Sequence, residues 1–255
     1  MTRRIITHLS DACPVMRDLI VAVGPLNLES RAEMSPFQVL AHSIAHQQLN
    51  GTAAKSILNR FVSNIGKGSF PTPAKVIEVE AAELRAIGFS FAKIAALKDL
   101  AAKTLAGVVP ERDALVALEN TEIIERLTQV RGIGRWTVEM LLMFNLARED
   151  VLPVDDFGVR MGFRLAYGLR AMPKPKALAL FGERWSPYRS AAAWYLWRAV
   201  ELAREGKLPS PAERVRLPRI ARKRRARKAR VSKPVPRRRP AGRKQPRRGR
   251  SRSPR

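Results

Sequence analysis

Apolar residues along this chain return at every third or fourth position and almost nowhere at every second. The spacing is plain in PVMRDLIVAVG, FQVLAHSIAHQQL, TAAKSILNRFV, FAKIAALKDLAAKTL and ALALFGERW. Such an interval keeps one face of a helix apolar, whereas a half-buried strand needs strict alternation. The body of the protein is therefore expected to be all-α. Breaks fall at Gly24-Pro25, at GKGSFPTP (66–73), at GVVPE (107–111), at RGIG (131–134) and at REDVLPVDD (148–156), where glycine and proline interrupt the pattern. Ordinary helix lengths between these breaks give about ten short helices. No internal repeat is visible.

Charge divides the 255 residues unequally. Residues 211–255 hold 21 of the 48 Lys and Arg with Glu213 as the only acid, so +20 of the net +26 lies there and +6 on residues 1–210. A segment with so little to bury cannot offset the entropy of ordering itself, and its like charges repel. The expected organisation is a two-lobed helical body over 1–207 and a disordered Lys/Arg-rich tail over 208–255. Arginine at this density suits phosphates, so the tail reads as an arm for non-specific DNA binding.

Cys13 is the only cysteine, and His8, His42 and His46 are the only histidines. An intramolecular disulfide and a cysteine-held zinc or iron–sulfur centre are excluded, and no metal or cofactor is expected. His42 and His46 read simply as side chains one helical turn apart. The N-terminus, MTRRIITHLSDACPVM, carries no long apolar run or small-residue cleavage site, and no stretch reaches membrane-spanning length. A cytoplasmic, nucleoid-associated monomer without a membrane partner is expected.

The most informative stretch is TEIIERLTQVRGIGRWTVEMLLMFNLA. Ile124, Leu127 and Val130 give one apolar stripe, and Val138, Leu141 and Leu142 give another. Two helices joined by RGIG make a helix-hairpin-helix, spanning about 121–146. Gly132 and Gly134 permit positive φ and remove side chains that would keep a phosphate from the backbone. The amides around Arg131, Gly132, Ile133 and Gly134, the start of the second helix and Arg135 then face an anion. A lone Gly-x-Gly could equally be a tight turn; the whole arrangement is more specific.

LTQVRGIGRWTVEML followed by VLPVDDFGVRMGF resembles the helix-hairpin-helix, Gly/Pro-rich loop and catalytic aspartate of the helix-hairpin-helix DNA glycosylase superfamily, in particular its 3-methyladenine DNA glycosylase II branch. SIAHQQLNGTAAKSI resembles the family's gap-filling segment and WSPYRSAAAWYLW its late helix. The likeness covers roughly residues 7–203. It implies the two-lobed all-α fold, without the N-terminal sheet domain of some members; the basic tail lies outside the family pattern.

Asp155 and Asp156 both precede a helical stretch, and either could be an ordinary cap. The resemblance assigns catalysis to Asp156, 22 residues beyond Gly134, and leaves Asp155 as the cap. It also implies that a lysine stands at the place of Trp136 in relatives that nick the strand, so that base removal alone is expected here. Trp136, Met140, Phe157 and Trp197 are then expected to line one pocket for a flipped, electron-poor base. Gln47 and Gln48, with Leu49 as a wedge, would fill the gap left in the duplex. The implied activity is hydrolytic excision of alkylated purines from double-stranded DNA in base excision repair. The alternative from the residues alone is a non-catalytic helix-hairpin-helix DNA-binding or nucleoid protein.

Overall fold

A computed structural model of the chain describes residues 2–30 and 32–211. The basic tail expected over 208–255 lies outside the described residues from position 212 onward. The described residues form α1 (Thr2–Ala12), α2 (Pro14–Val23), α3 (Pro36–His46), α4 (Gly51–Arg60), α5 (Pro73–Glu78), α6 (Ala81–Ala86) and α7 (Phe91–Leu105), then α8 (Arg112–Val116), α9 (Asn120–Leu127), α10 (Arg135–Phe144), α11 (Phe157–Ala166), α12 (Pro175–Gly182) and α13 (Arg189–Arg204). A π-helical turn, Phe61–Ile65, continues α4, and a 3-10 turn, Glu183–Trp185, follows α12. Among these residues there is no strand, as the apolar spacing requires.

Among the described residues thirteen α-helices stand where about ten were expected, because caps start new helices where the apolar pattern runs on. The side chains of Ser35, Asn50, Thr72 and Ser90 each accept a hydrogen bond from the backbone amide three residues ahead. Each satisfies one of the amides that a helix start leaves without a partner. All five expected breaks are non-helical except at Pro73, which opens α5.

The helices fall into two groups. α13 packs on α11 and α2, and α1 on α2; α7 is the centre of the other group, with α3, α5 and α6 against it, while α10 meets α3 and α9. One continuous cluster of buried side chains runs through both, from Leu9 and Met16 to Leu100, Leu141 and Leu196. Chain past the expected boundary at 207 still packs on this body: Leu208 rests against the core, and a side chain at Gly168 would meet Pro211.

α7 is tied to its neighbours by lysines rather than by apolar contact alone. Lys93 Nζ donates to the Ala45 carbonyl at 2.7 Å, Lys98 Nζ to the carbonyls of Ile77 and Val79, and Lys103 Nζ to that of Gln129 at 2.6 Å. These acceptors lie at or just past the C-terminal ends of α3, α5 and α9, where carbonyls lack intrahelical partners and the helix dipole favours a cation. Burial pushes the Lys93 ammonium below its ordinary pKa.

Candidate active site and nucleic-acid interface

The turn between α9 and α10 is set by one glycine. Gly132 has φ +78, a conformation that side chains disfavour, although a Cβ there would make only ordinary contact with Ala96 of α7. Gly134, expected to share that freedom, instead adopts an extended φ of −97 as the N-cap of α10. Nothing lies within 4 Å of where its Cβ would be, so its value is open space in front of the helix start. No side chain caps α10, which leaves its first amides facing outward.

Two of the hairpin amides are already engaged. Ile133 donates to the Val130 carbonyl at 3.0 Å and Arg131 to the Asp99 carboxylate at 2.7 Å. Ile133, expected at the DNA surface, is 5% exposed and part of the core: its apolar side chain pins the turn down. Burial pushes the Asp99 carboxyl up, but the Arg131 amide and the Lys103 ammonium at 2.7 Å outweigh it and hold it below its ordinary value. The side chains of Arg131 and Arg135 are exposed.

Gln47 caps α3 and donates from Nε2 to the Gly132 carbonyl at 2.7 Å. That bond joins the expected gap-filling segment to the hairpin across 85 residues of sequence, a tie with no local signal. Gln48 follows with a left-handed φ of 57, and Leu49 stands 40% exposed beside it. Gln47, Gln48 and the hairpin thus share one edge of the molecule.

The loop at 148–156 is fixed before it reaches the aspartates. Ser190 Oγ donates to the Arg148 carbonyl at 2.6 Å and accepts from the Val151 amide at 3.0 Å. Arg189 grips Asp150 with Nε at 2.6 Å and Nη2 at 2.9 Å, and Ser186 Oγ donates to the same carboxylate at 2.9 Å. Burial raises the Asp150 carboxyl, yet Arg189 and Ser186 win and keep it below its ordinary value.

The two aspartates at the end of this loop divide differently from expectation. Asp156 itself caps α11, its Oδ1 accepting from the Val159 amide at 2.7 Å, while Asp155 is exposed and is not the cap. Two further hydrogen bonds to the Asp156 carboxylate come from tryptophans. Trp197 Nε1 donates to Oδ1 at 2.8 Å and Trp136 Nε1 to Oδ2 at 2.7 Å. Asp156 is half-buried, so one carboxylate is held in a fixed plane by three N–H groups from α10, α11 and α13.

That convergence depends on how closely α11 lies against α13. A Cβ at Gly162 would fall 1.8 Å from the Leu196 carbonyl oxygen, and one at Gly158 would fall 2.7 Å from Trp197 Cδ1. Glycine one turn apart on α11 lets the backbone of α13 approach and brings the Trp197 indole to the carboxylate. The pair FGVRMGF therefore carries the geometry, rather than only its first aromatic residue.

The four residues expected to line one pocket separate. Trp136 and Met140 line a cavity of about 540 Å³ whose other wall is α3, through Val39, His42, Ser43 and His46. Trp197 lines a neighbouring cavity of about 570 Å³ with Gly158, Trp194 and Arg198. Phe144 borders both and stacks on Trp197, with ring centroids 5.9 Å apart. Phe157 lines neither and is 68% exposed, on the surface beside Asp156. His42 and His46, read as bystanders, and Phe144, not singled out, are wall residues. The spacing of the histidines on one helix face was visible in the sequence, but the cavity opposite them was not.

A hairpin presenting backbone amides, a carboxylate locked behind it and an aromatic cavity alongside define a helix-hairpin-helix DNA-repair fold. Residues 41–187 match the family model described as HhH-GPD superfamily base excision DNA repair protein, and the chain belongs to that superfamily. It is 42% identical over 197 residues to DNA-3-methyladenine glycosylase 1 of Schizosaccharomyces pombe, covering 77% of this chain and 86% of that protein. Among solved structures, the S. pombe 3-methyladenine DNA glycosylase in complex with abasic DNA aligns with a TM-score of 0.72 at 41% identity, over 78% of this chain and 98% of that one. A DNA-3-methyladenine glycosidase from Bacillus halodurans aligns with a TM-score of 0.72 at 33% identity, over 79% of this chain and 91% of that one.

Proposed function

We propose that this protein is a monofunctional DNA glycosylase of the 3-methyladenine type II branch, which flips alkylated purines out of duplex DNA and hydrolyses their N-glycosidic bond. The observation that carries the reading is the Asp156 carboxylate, fixed by Trp136, Trp197 and Val159, with Trp136 itself a wall of the Trp136–Met140 cavity. Cleaving an N-glycosidic bond develops positive charge on the sugar, and a preorganised carboxylate beside C1′ stabilises that charge as it forms. The same group orients the attacking water and accepts its proton. A ring-alkylated purine is cationic and leaves readily, so the site needs no strong general acid.

Trp136 serves two purposes in this reading. Its N–H holds Asp156, and the residue, 49% exposed, offers its ring to a flipped cationic base, an attraction of about 0.5–2 kcal/mol. An indole cannot form a Schiff base with the sugar, which supports base removal without strand cleavage. The hairpin backbone, Arg131 and Arg135 take the phosphates, while Gln47, Gln48 and Leu49 fill the vacated stack. The tail adds non-specific attraction to DNA. The protein acts as a monomer in the cytoplasm, on the nucleoid.

The test is chromatography of bases released from methylated DNA by the full chain. Release of methylated purines with strands that break only after alkali is expected. Tight DNA binding with no base release would leave the non-catalytic DNA-binding reading in its place.

A further inference from the structure

Glu139 is the one carboxylate of α10, and it is 3% exposed. An ionised carboxylate so placed costs free energy that an apolar side chain of similar size would not, unless it is paired or used. Its partner is Arg135, one turn earlier, whose Nε donates to Oε1 at 2.9 Å. The exposure of the pair is unequal: the Arg135 side chain is 61% exposed and that of Glu139 only 5%. The acid is sunk in the body and the guanidinium stands at the surface, just after the Gly134 cap.

A guanidinium held through Nε leaves free the end of its fork, between the two Nη groups, for a second anion. Arg135 is the first residue of α10, next to a helix start that no side chain caps. We propose that Glu139 is a positioning residue, which holds Arg135 so that its Nη fork and the hairpin amides together grip one phosphate of the DNA strand. The inference rests on the DNA-binding role given to the hairpin above, and it assigns the phosphate grip to a pair of side chains rather than to Arg135 alone.

The surroundings make the pair a costly one to keep for structure alone. Burial pushes the Glu139 carboxyl up, Arg135 pulls it down, and the charges of Asp155 and Asp156 push it up again. Two further acids therefore bear on Glu139, and the group that touches it is Arg135. Were Glu139 there merely to balance charge, removing it would relieve the fold and make the surface more attractive to DNA. Positioning has the opposite sign.

The experiment measures the affinity of the full chain for a duplex carrying one abasic site, over a range of salt, for wild type, Glu139→Leu, Arg135→Leu and the double variant. Single-turnover excision from methylated duplex at saturating enzyme is followed beside it. Glu139→Leu is expected to melt no lower than wild type, to bind roughly tenfold more weakly and to lose about one unit of salt slope. Its saturated excision rate should stay within about twofold, and the double variant should bind no worse than Arg135→Leu. Glu139→Gln, which keeps the size and a neutral acceptor, should lose less in the same direction. Unchanged or tighter binding by Glu139→Leu overturns the proposal, and so does a double variant whose loss is the product of the two single losses. A wild-type chain that excises nothing while the cycle behaves as described refutes the glycosylase reading and leaves the positioning role standing.

Discussion

Trp136 and Asp156 are joined by a hydrogen bond of 2.7 Å from the indole Nε1 to Oδ2, across 20 residues of sequence. Oδ1 is committed elsewhere, to the Val159 amide and the Trp197 indole. An asparagine at 156 would keep its oxygen on that doubly bonded side, which turns its NH₂ towards the Trp136 N–H, donor against donor. Asp156→Asn is therefore expected to lose excision by roughly a hundredfold or more, through the missing charge and a displaced Trp136. Asp155→Asn, at an exposed position without the cap, should cost far less. Single-turnover assays of the two variants check this, and the reverse order would move the catalytic role to Asp155.

Replacing either tryptophan by phenylalanine separates the ring from its N–H. Trp197→Phe keeps the stack on Phe144 but frees Oδ1 of one bond, and Trp136→Phe keeps an aromatic wall but frees Oδ2. Both variants should bind abasic duplex nearly as well as wild type and excise roughly tenfold more slowly, a loss of the size expected for one charge-assisted hydrogen bond. Loss of binding with retained rate would place these rings in DNA recognition instead.

Gln47→Glu tests the tie between α3 and the hairpin. A carboxylate cannot donate to the Gly132 carbonyl and adds a negative charge beside the expected phosphate, whereas Gln47→Ala only removes the tie. Both should weaken duplex binding, the glutamate variant more, and neither should change thermal stability much at so exposed a site. Anisotropy titrations and melts run together decide the matter.

Acid should unfold the body through two named groups. The carboxyls of Asp99 and Asp150 are both held below their ordinary values in the folded chain. Each contributes stability that is present above the ordinary aspartate value of 3.8 and is lost as pH falls through the lowered folded value. Glu139 acts in the other sense, since its raised carboxyl penalises folding increasingly as pH climbs past its ordinary 4.5. Melts over this range should show Asp150→Asn less stable than wild type at neutral pH, with the difference closing in acid. A difference that stays constant with pH would remove the Arg189–Asp150 pair as its source.

Truncation after Pro211 keeps the packed body and removes a segment carrying most of the net +26. The shortened chain should bind duplex more weakly at low salt and with a flatter dependence of log affinity on log salt. Its saturated excision rate should match that of the full chain. An unchanged slope would make the tail irrelevant to DNA attraction.

The helices were legible because their apolar spacing is local, and the hairpin because Gly132 and its two amphipathic flanks lie within one short stretch. The choice of Asp156 over Asp155 as the catalytic candidate rested only on likeness to a family, since a second acid stands beside it. What the sequence did not disclose was the partition of the aromatic residues between two cavities. That depends on the approach of α11 to α13 at Gly158 and Gly162, between residues more than thirty positions apart. Glu139 was hidden for a similar reason: on an otherwise ordinary amphipathic helix, nothing distinguishes a glutamate that faces inward until the neighbouring helices are in place.

The lysine ties along α7 bear on how the chain would respond to chemistry at its amines. Lys93, Lys98 and Lys103 each spend the ammonium on a carbonyl of another element. Acylating any of them would do more than erase a charge: it would cut a strut between α7 and α3, α5 or the approach to the hairpin. An amine-directed footprint of the folded body should accordingly mark α7 as a quiet stripe among reactive neighbours, and the first of these three lysines to light up would tell which strut gives way first.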